Sequence, residues 1–161
     1  SVSRTDVAGN GGPTAQAYLL DDAGPPFPAT SVREALRTAL MGSWGAGPYV
    51  IDQCPDCGDD WSKLVPRLLA TYPNDRVALI SSETDSVISS FFALTGDKFK
   101  TALYALASSR FDGNDRAHYY FVSGSAHTFL GSPSTVTVAN TNMNAWIEAM
   151  VTDKPWVSIK P

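Results

Sequence analysis

Arg76-Val77-Ala78-Leu79-Ile80-Ser81-Ser82-Glu83-Thr84-Asp85 is the stretch that decides the fold. Its first half is a nearly continuous apolar run. Such a run suits a central strand of a parallel sheet, which is buried on both faces. Its second half turns polar and ends on a carboxylate. In open α/β sheets, ligands bind beyond the carboxyl ends of the strands. Asp85 therefore falls where chemistry is expected.

Working outward, the flanks alternate between helix and strand. Ala17-Tyr18-Leu19-Leu20 is a short apolar run of the buried-strand kind, stopped by Asp21-Asp22-Ala23-Gly24-Pro25-Pro26. Thr30 or Ser31 can cap a helix running to about Leu40, with Val32, Ala35, Leu36, Ala39 and Leu40 at helical spacing. A Gly- and Pro-rich loop from Gly42 to Gly58 follows. Asp59 or Asp60 caps a helix from Trp61 to Thr71, whose apolar stripe is Trp61, Leu64, Val65, Leu68 and Leu69. Beyond Asp85 come a short helical piece from Val87 to Leu94 and an amphipathic helix from Lys98 to Ser109. His118-Tyr119-Tyr120-Phe121-Val122 is another strand, ending at Ser123-Gly124-Ser125-Ala126-His127. Asn142 or Asn144 opens a last helix to about Val151. This order predicts an α/β fold with a parallel sheet flanked by helices, in one domain over 1–161.

Composition narrows the function. The chain is 43% hydrophobic and 17% charged, with a net charge of −4, as expected of a globular protein. Its twelve Lys and Arg are scattered, which argues against nucleic acid as a partner. No apolar run is long enough to span a membrane. The two cysteines, Cys54 and Cys57, form one Cys-Pro-Asp-Cys. A local disulfide is the preferred reading, with free thiols and a metal or redox pair as alternatives. A disulfide would imply an oxidising compartment, hence a secreted or periplasmic protein.

Asp85 and His127 follow two strands in the same way. If those strands are adjacent and parallel, their loops meet at one edge. A serine hydroxyl needs an imidazole to take its proton, and the imidazole needs a carboxylate on its other nitrogen. In α/β-hydrolases the chain order is Ser, then Asp or Glu, then His. Asp85 and His127 obey it. Plainer readings stand beside this one: Asp85 as the cap of the helix after it, and His127 as a satisfied polar residue. His118 begins a strand and has no obvious acid nearby.

No Gly-x-Ser-x-Gly elbow occurs. Met41-Gly42-Ser43-Trp44-Gly45 comes nearest, but Met41 is too large for the tight turn and Ser43 follows a helix instead of a strand. Ser1 would serve only with an exposed terminal amine. Phe27 and Trp44, and also Trp61, are candidates to line an acyl or sugar pocket, with plain packing as an equal alternative.

The chain resembles the C-terminal part of the pectin acetylesterase and Notum-like carboxylesterases over roughly Tyr18 to Trp146. The resemblance rests on Leu20-Asp21-Asp22-Ala23-Gly24, Glu83-Thr84-Asp85-Ser86-Val87-Ile88 and Ser123-Gly124-Ser125-Ala126-His127-Thr128. It implies an α/β-hydrolase that cleaves carboxylic esters, with Asp85 as triad acid, His127 as triad base and no cofactor. It also implies that the elbow serine lies before the Ala17–Leu20 strand. The expected partners are thus a nucleophile-bearing N-terminal segment or chain of the same hydrolase, and an ester such as an acylated polysaccharide or polyester. A non-catalytic binding module of the same fold, or a self-sufficient hydrolase using Ser43 or Ser1, are the alternatives.

Overall fold

The computed structural model describes residues 16–43, 45 and 54–161. Trp44 and Ser1 lie outside the described residues. A three-stranded parallel sheet has the order β1 (Tyr18–Asp22), β2 (Arg76–Ser82), β3 (Ala117–Val122). Leu19 pairs with Val77, and Val77 with Ala117, so the strands run level and end together. β3 gains a further bridge from Tyr120 to Ile159 near the C-terminus.

Alternation along β2 and β3 sorts side chains between two cores. Val77, Leu79, Tyr119 and Phe121 point to one face, where α1 (Glu34–Ser43), α2 (Leu64–Thr71) and α4 (Gly96–Leu106) supply Leu36, Leu40, Val65, Leu69, Phe99, Leu103 and Leu106. Ala78, Ile80 and Tyr120 point to the other face, covered by Met143, Trp146 and Met150 of α5 (Met143–Val151) and by Trp156. Helices on both faces explain why β2 reads as an unbroken apolar run.

Several boundaries differ from the sequence reading. α1 starts at Glu34, because the chain first turns at Ser31, whose N–H bonds the Pro28 carbonyl at 2.9 Å. Its inner face carries Leu36, Leu40, Met41 and a buried Arg37, whereas Ala35 and Ala39 are exposed. α4 begins two residues early, capped by the Thr95 hydroxyl, and passes into a π-helical turn over Ala107–Phe111. α3 (Ser86–Phe91) starts directly after Asp85. Cys54 and Cys57 form the disulfide expected of them.

Phe27 belongs to the first core. It is 1% exposed and packs edge-on against Phe92 and Phe99, at ring-centroid distances of 5.4 and 5.2 Å. Its three neighbours in sequence, Pro25, Pro26 and Pro28, turn it into the first core. Trp61 is likewise buried, its ring 6.2 Å from that of Phe92. Both are core residues, which favours the packing alternative over the pocket-lining one.

Candidate functional site

All three strands are parallel, so Asp22, Ser82 and Val122 end at one edge of the sheet. The two loops that matter leave from β2 and β3. Ladder bonding continues past the strands: the Glu83 N–H bonds the Val122 carbonyl at 2.8 Å and the Thr84 N–H bonds that of Gly124 at 3.0 Å. The Ser86 N–H then reaches the Ser125 carbonyl at 3.1 Å. The loops are thus zipped together almost to His127.

Asp85 is fully buried and holds two things at once. Its Oδ1 accepts the N–H groups of Val87 and Ile88, both at 2.9 Å, and so caps α3. Its Oδ2 lies 3.0 Å from His127 Nδ1. The capping and triad readings of Asp85 are therefore not rivals, since each uses a different oxygen. A carboxylate in this setting is an acceptor, so the proton of the imidazole belongs on Nδ1. Nε2 then carries the lone pair. The His127 side chain is 32% exposed against 0% for Asp85. This is the geometry of a general base held in one tautomer.

Glu83 stands close by in sequence but faces elsewhere. Its carboxylate accepts the Tyr104 hydroxyl at 2.6 Å and the Lys100 ammonium at 3.0 Å. Burial alone would raise its pKa, yet the bonds from Tyr104 and Lys100 outweigh that and hold it below the usual range. Burial and Glu83 together push the Tyr104 hydroxyl up to about 12. Glu83 is thus committed to a structural ion pair.

His118 is not part of the site. It lies at the opposite end of β3, with Nδ1 3.1 Å from Ser158 Oγ and its ring edge-on to Trp156. Burial lowers its pKa, which favours a neutral core histidine. Ser43 is the last residue of α1 and is exposed. Among the described residues, no serine hydroxyl hydrogen-bonds His127 Nε2, and no cluster of three or more His, Cys, Asp and Glu is set to hold a metal. No helix among them is long and apolar enough to cross a membrane.

The roles of two carboxylates at the end of β1 escaped the sequence reading. Asp21 accepts the Gly24 N–H at 2.8 Å, and burial raises its pKa to about 6 despite that bond, with the charge of Asp22 adding to the rise. Asp22 accepts backbone N–H groups from Phe129 and Leu130, in the loop just past His127. Both acids enter that reading, as a strand stop and within the resemblance, but neither is given a role there. Compared with protein-family models, curated proteins and solved structures, the chain matches none.

Proposed function

We propose that this chain supplies the acid and base of a serine carboxylic ester hydrolase of the α/β-hydrolase kind, similar to the pectin acetylesterase and Notum-like esterases. One observation carries the reading: a buried carboxylate and a half-exposed imidazole, from the ends of adjacent parallel strands, 3.0 Å apart through Nδ1. His127 Nε2 takes the proton of a serine hydroxyl as its oxygen attacks the ester carbonyl carbon. The imidazolium then gives that proton to the departing alcohol, leaving an acyl-enzyme. Water attacks the acyl carbon by the same route, His127 again holding the proton in transit, and the free acid leaves. Asp85 fixes the tautomer and stabilises the imidazolium. No step calls for a cofactor.

The serine comes from a segment that precedes β1 in the protein, or from a separate chain. Two features support a neighbour on that side. Leu19 on β1 is 48% exposed. Beside it runs a groove of about 210 Å³, lined by Leu64, Leu68 and Phe111 among others. The groove lies on the α2 face of the sheet, beside Val77 and Leu79, and exposed apolar groups there favour a covering segment. The substrate is an ester of a hydroxylated partner, such as an acylated polysaccharide or polyester. The Cys54–Cys57 disulfide suits secretion or a periplasmic location.

The test is to treat the natural protein with a fluorophosphonate and map the adduct by mass spectrometry. An adduct on a serine preceding β1, or on a co-purifying chain, is the expected result. An adduct on Ser43 would favour a self-sufficient hydrolase. No adduct, in protein with an intact His127, would favour a non-catalytic module.

A further inference from the structure

The loop that carries His127 is poorly buried. Residues 123 to 128 are all exposed, and Thr128, next to the histidine, has φ of 62°, a left-handed conformation that a β-branched residue rarely adopts. Apolar packing therefore does little to fix it, and its shape needs an outside constraint. On the upstream side that constraint is the β2 loop, where Thr84 and Ser86 hold the carbonyls of Gly124 and Ser125 through both N–H and hydroxyl. On the downstream side it is Asp22. Its Oδ2 accepts the N–H groups of Phe129 and Leu130, each at 2.9 Å, and its Oδ1 lies 3.0 Å from the Phe129 nitrogen. The contact spans 107 residues to Phe129 and joins the end of β1 to the segment after the histidine. The Phe129 side chain adds a partly buried contact with the second core.

We propose that Asp22 is a positioning residue: by bonding the N–H groups of Phe129 and Leu130 it closes the downstream side of the loop and keeps His127 Nδ1 on Asp85. The inference rests on the esterase reading for its effect on turnover, but not for its effect on the imidazole. Charge matters here as well as shape. A carboxylate presents acceptors on both oxygens, whereas an amide of the same size presents one oxygen and a donor group that repels N–H.

The test compares the protein with Asp22→Asn by imidazole 15N NMR and by backbone amide exchange. In the unaltered protein His127 should show one tautomer, with the proton on Nδ1, and the Phe129 and Leu130 amides should be protected relative to Thr128 and Gly131. In Asp22→Asn, with an unchanged near-ultraviolet circular dichroism spectrum, those amides should exchange at least about tenfold faster and His127 should sample both tautomers. In the natural protein with its nucleophile, kcat for p-nitrophenyl acetate should fall about 10- to 100-fold with KM nearly constant, as for a misplaced base. An unaltered His127 tautomer in Asp22→Asn overturns the proposal. So do unprotected Phe129 and Leu130 amides in the unaltered protein, a measurement that decides the matter even if the variant fails to fold. If the NMR changes appear but the unaltered protein has no esterase turnover, the reaction is misassigned while the role of Asp22 on the loop stands.

Discussion

Asp85 is asked to do two jobs with one carboxylate, and its two oxygens can be separated by substitution. Asp85→Asn keeps an oxygen to accept the Val87 and Ile88 N–H groups, but turns an NH2 toward His127 Nδ1. The imidazole must then flip its tautomer. Turnover is expected to fall on the order of 10³- to 10⁴-fold, with the unfolding free energy within about 1 kcal/mol of the original. Asp85→Ala loses the cap as well, which costs about 1 kcal/mol more in chemical denaturation. Asp21 yields a pH prediction. Its carboxyl titrates at about 6 in the fold against 3.8 in the open chain, because burial disfavours the charged form. The folded state thus binds its proton more tightly. The associated stability is complete below the unfolded value of 3.8 and is lost as pH rises through about 6. Asp21→Asn, which can still accept the Gly24 N–H, should flatten that part of the stability profile. It should gain roughly 1–2 kcal/mol at pH 7, an amount reduced by the partial exposure of the side chain. At this scale the meeting of Asp85 and His127 was legible, since each lies a few residues beyond an apolar strand run. Asp22 was not, because its partners are backbone groups far along the chain, and backbone donors leave no mark on composition.

At the scale of elements, strands were read more closely than helix ends. β2 is apolar on both sides and could be little else, whereas the start of α1 depends on how the Pro25–Pro28 segment turns before it. The same segment decides between the two readings of Phe27, because it folds inward and delivers the ring to the core. Phe27→Ala should therefore destabilise the protein by about 3–4 kcal/mol, seen as a lower denaturation midpoint, and leave KM unchanged in whatever fraction stays folded. A selective rise in KM would return the ring to a substrate pocket. The disulfide closes a very short loop, so it restricts the unfolded chain only modestly. Replacing Cys54 and Cys57 by serine is expected to cost about 1–2 kcal/mol in thermal unfolding.

For the whole molecule, three level parallel strands with helices on both faces are enough to align the loops of β2 and β3, and alignment is what brings Asp85 and His127 together. The alternating pattern made this architecture readable. What lies against β1 was not readable, because one exposed leucine on an edge strand names no neighbour. If the nucleophile-bearing segment docks there, Leu19→Lys should leave the chain's own unfolding midpoint almost unchanged, as for an exposed substitution. It should weaken association with that segment, supplied separately, by at least about tenfold in a titration. Equal binding by both forms would move the docking surface elsewhere. The most direct measurement of the central claim is kcat/KM for an acetyl ester in the natural protein, before and after His127→Ala, with circular dichroism to verify the fold. A loss of at least about 10³-fold with an unaltered spectrum is expected. Turnover that survives the substitution would contradict the account.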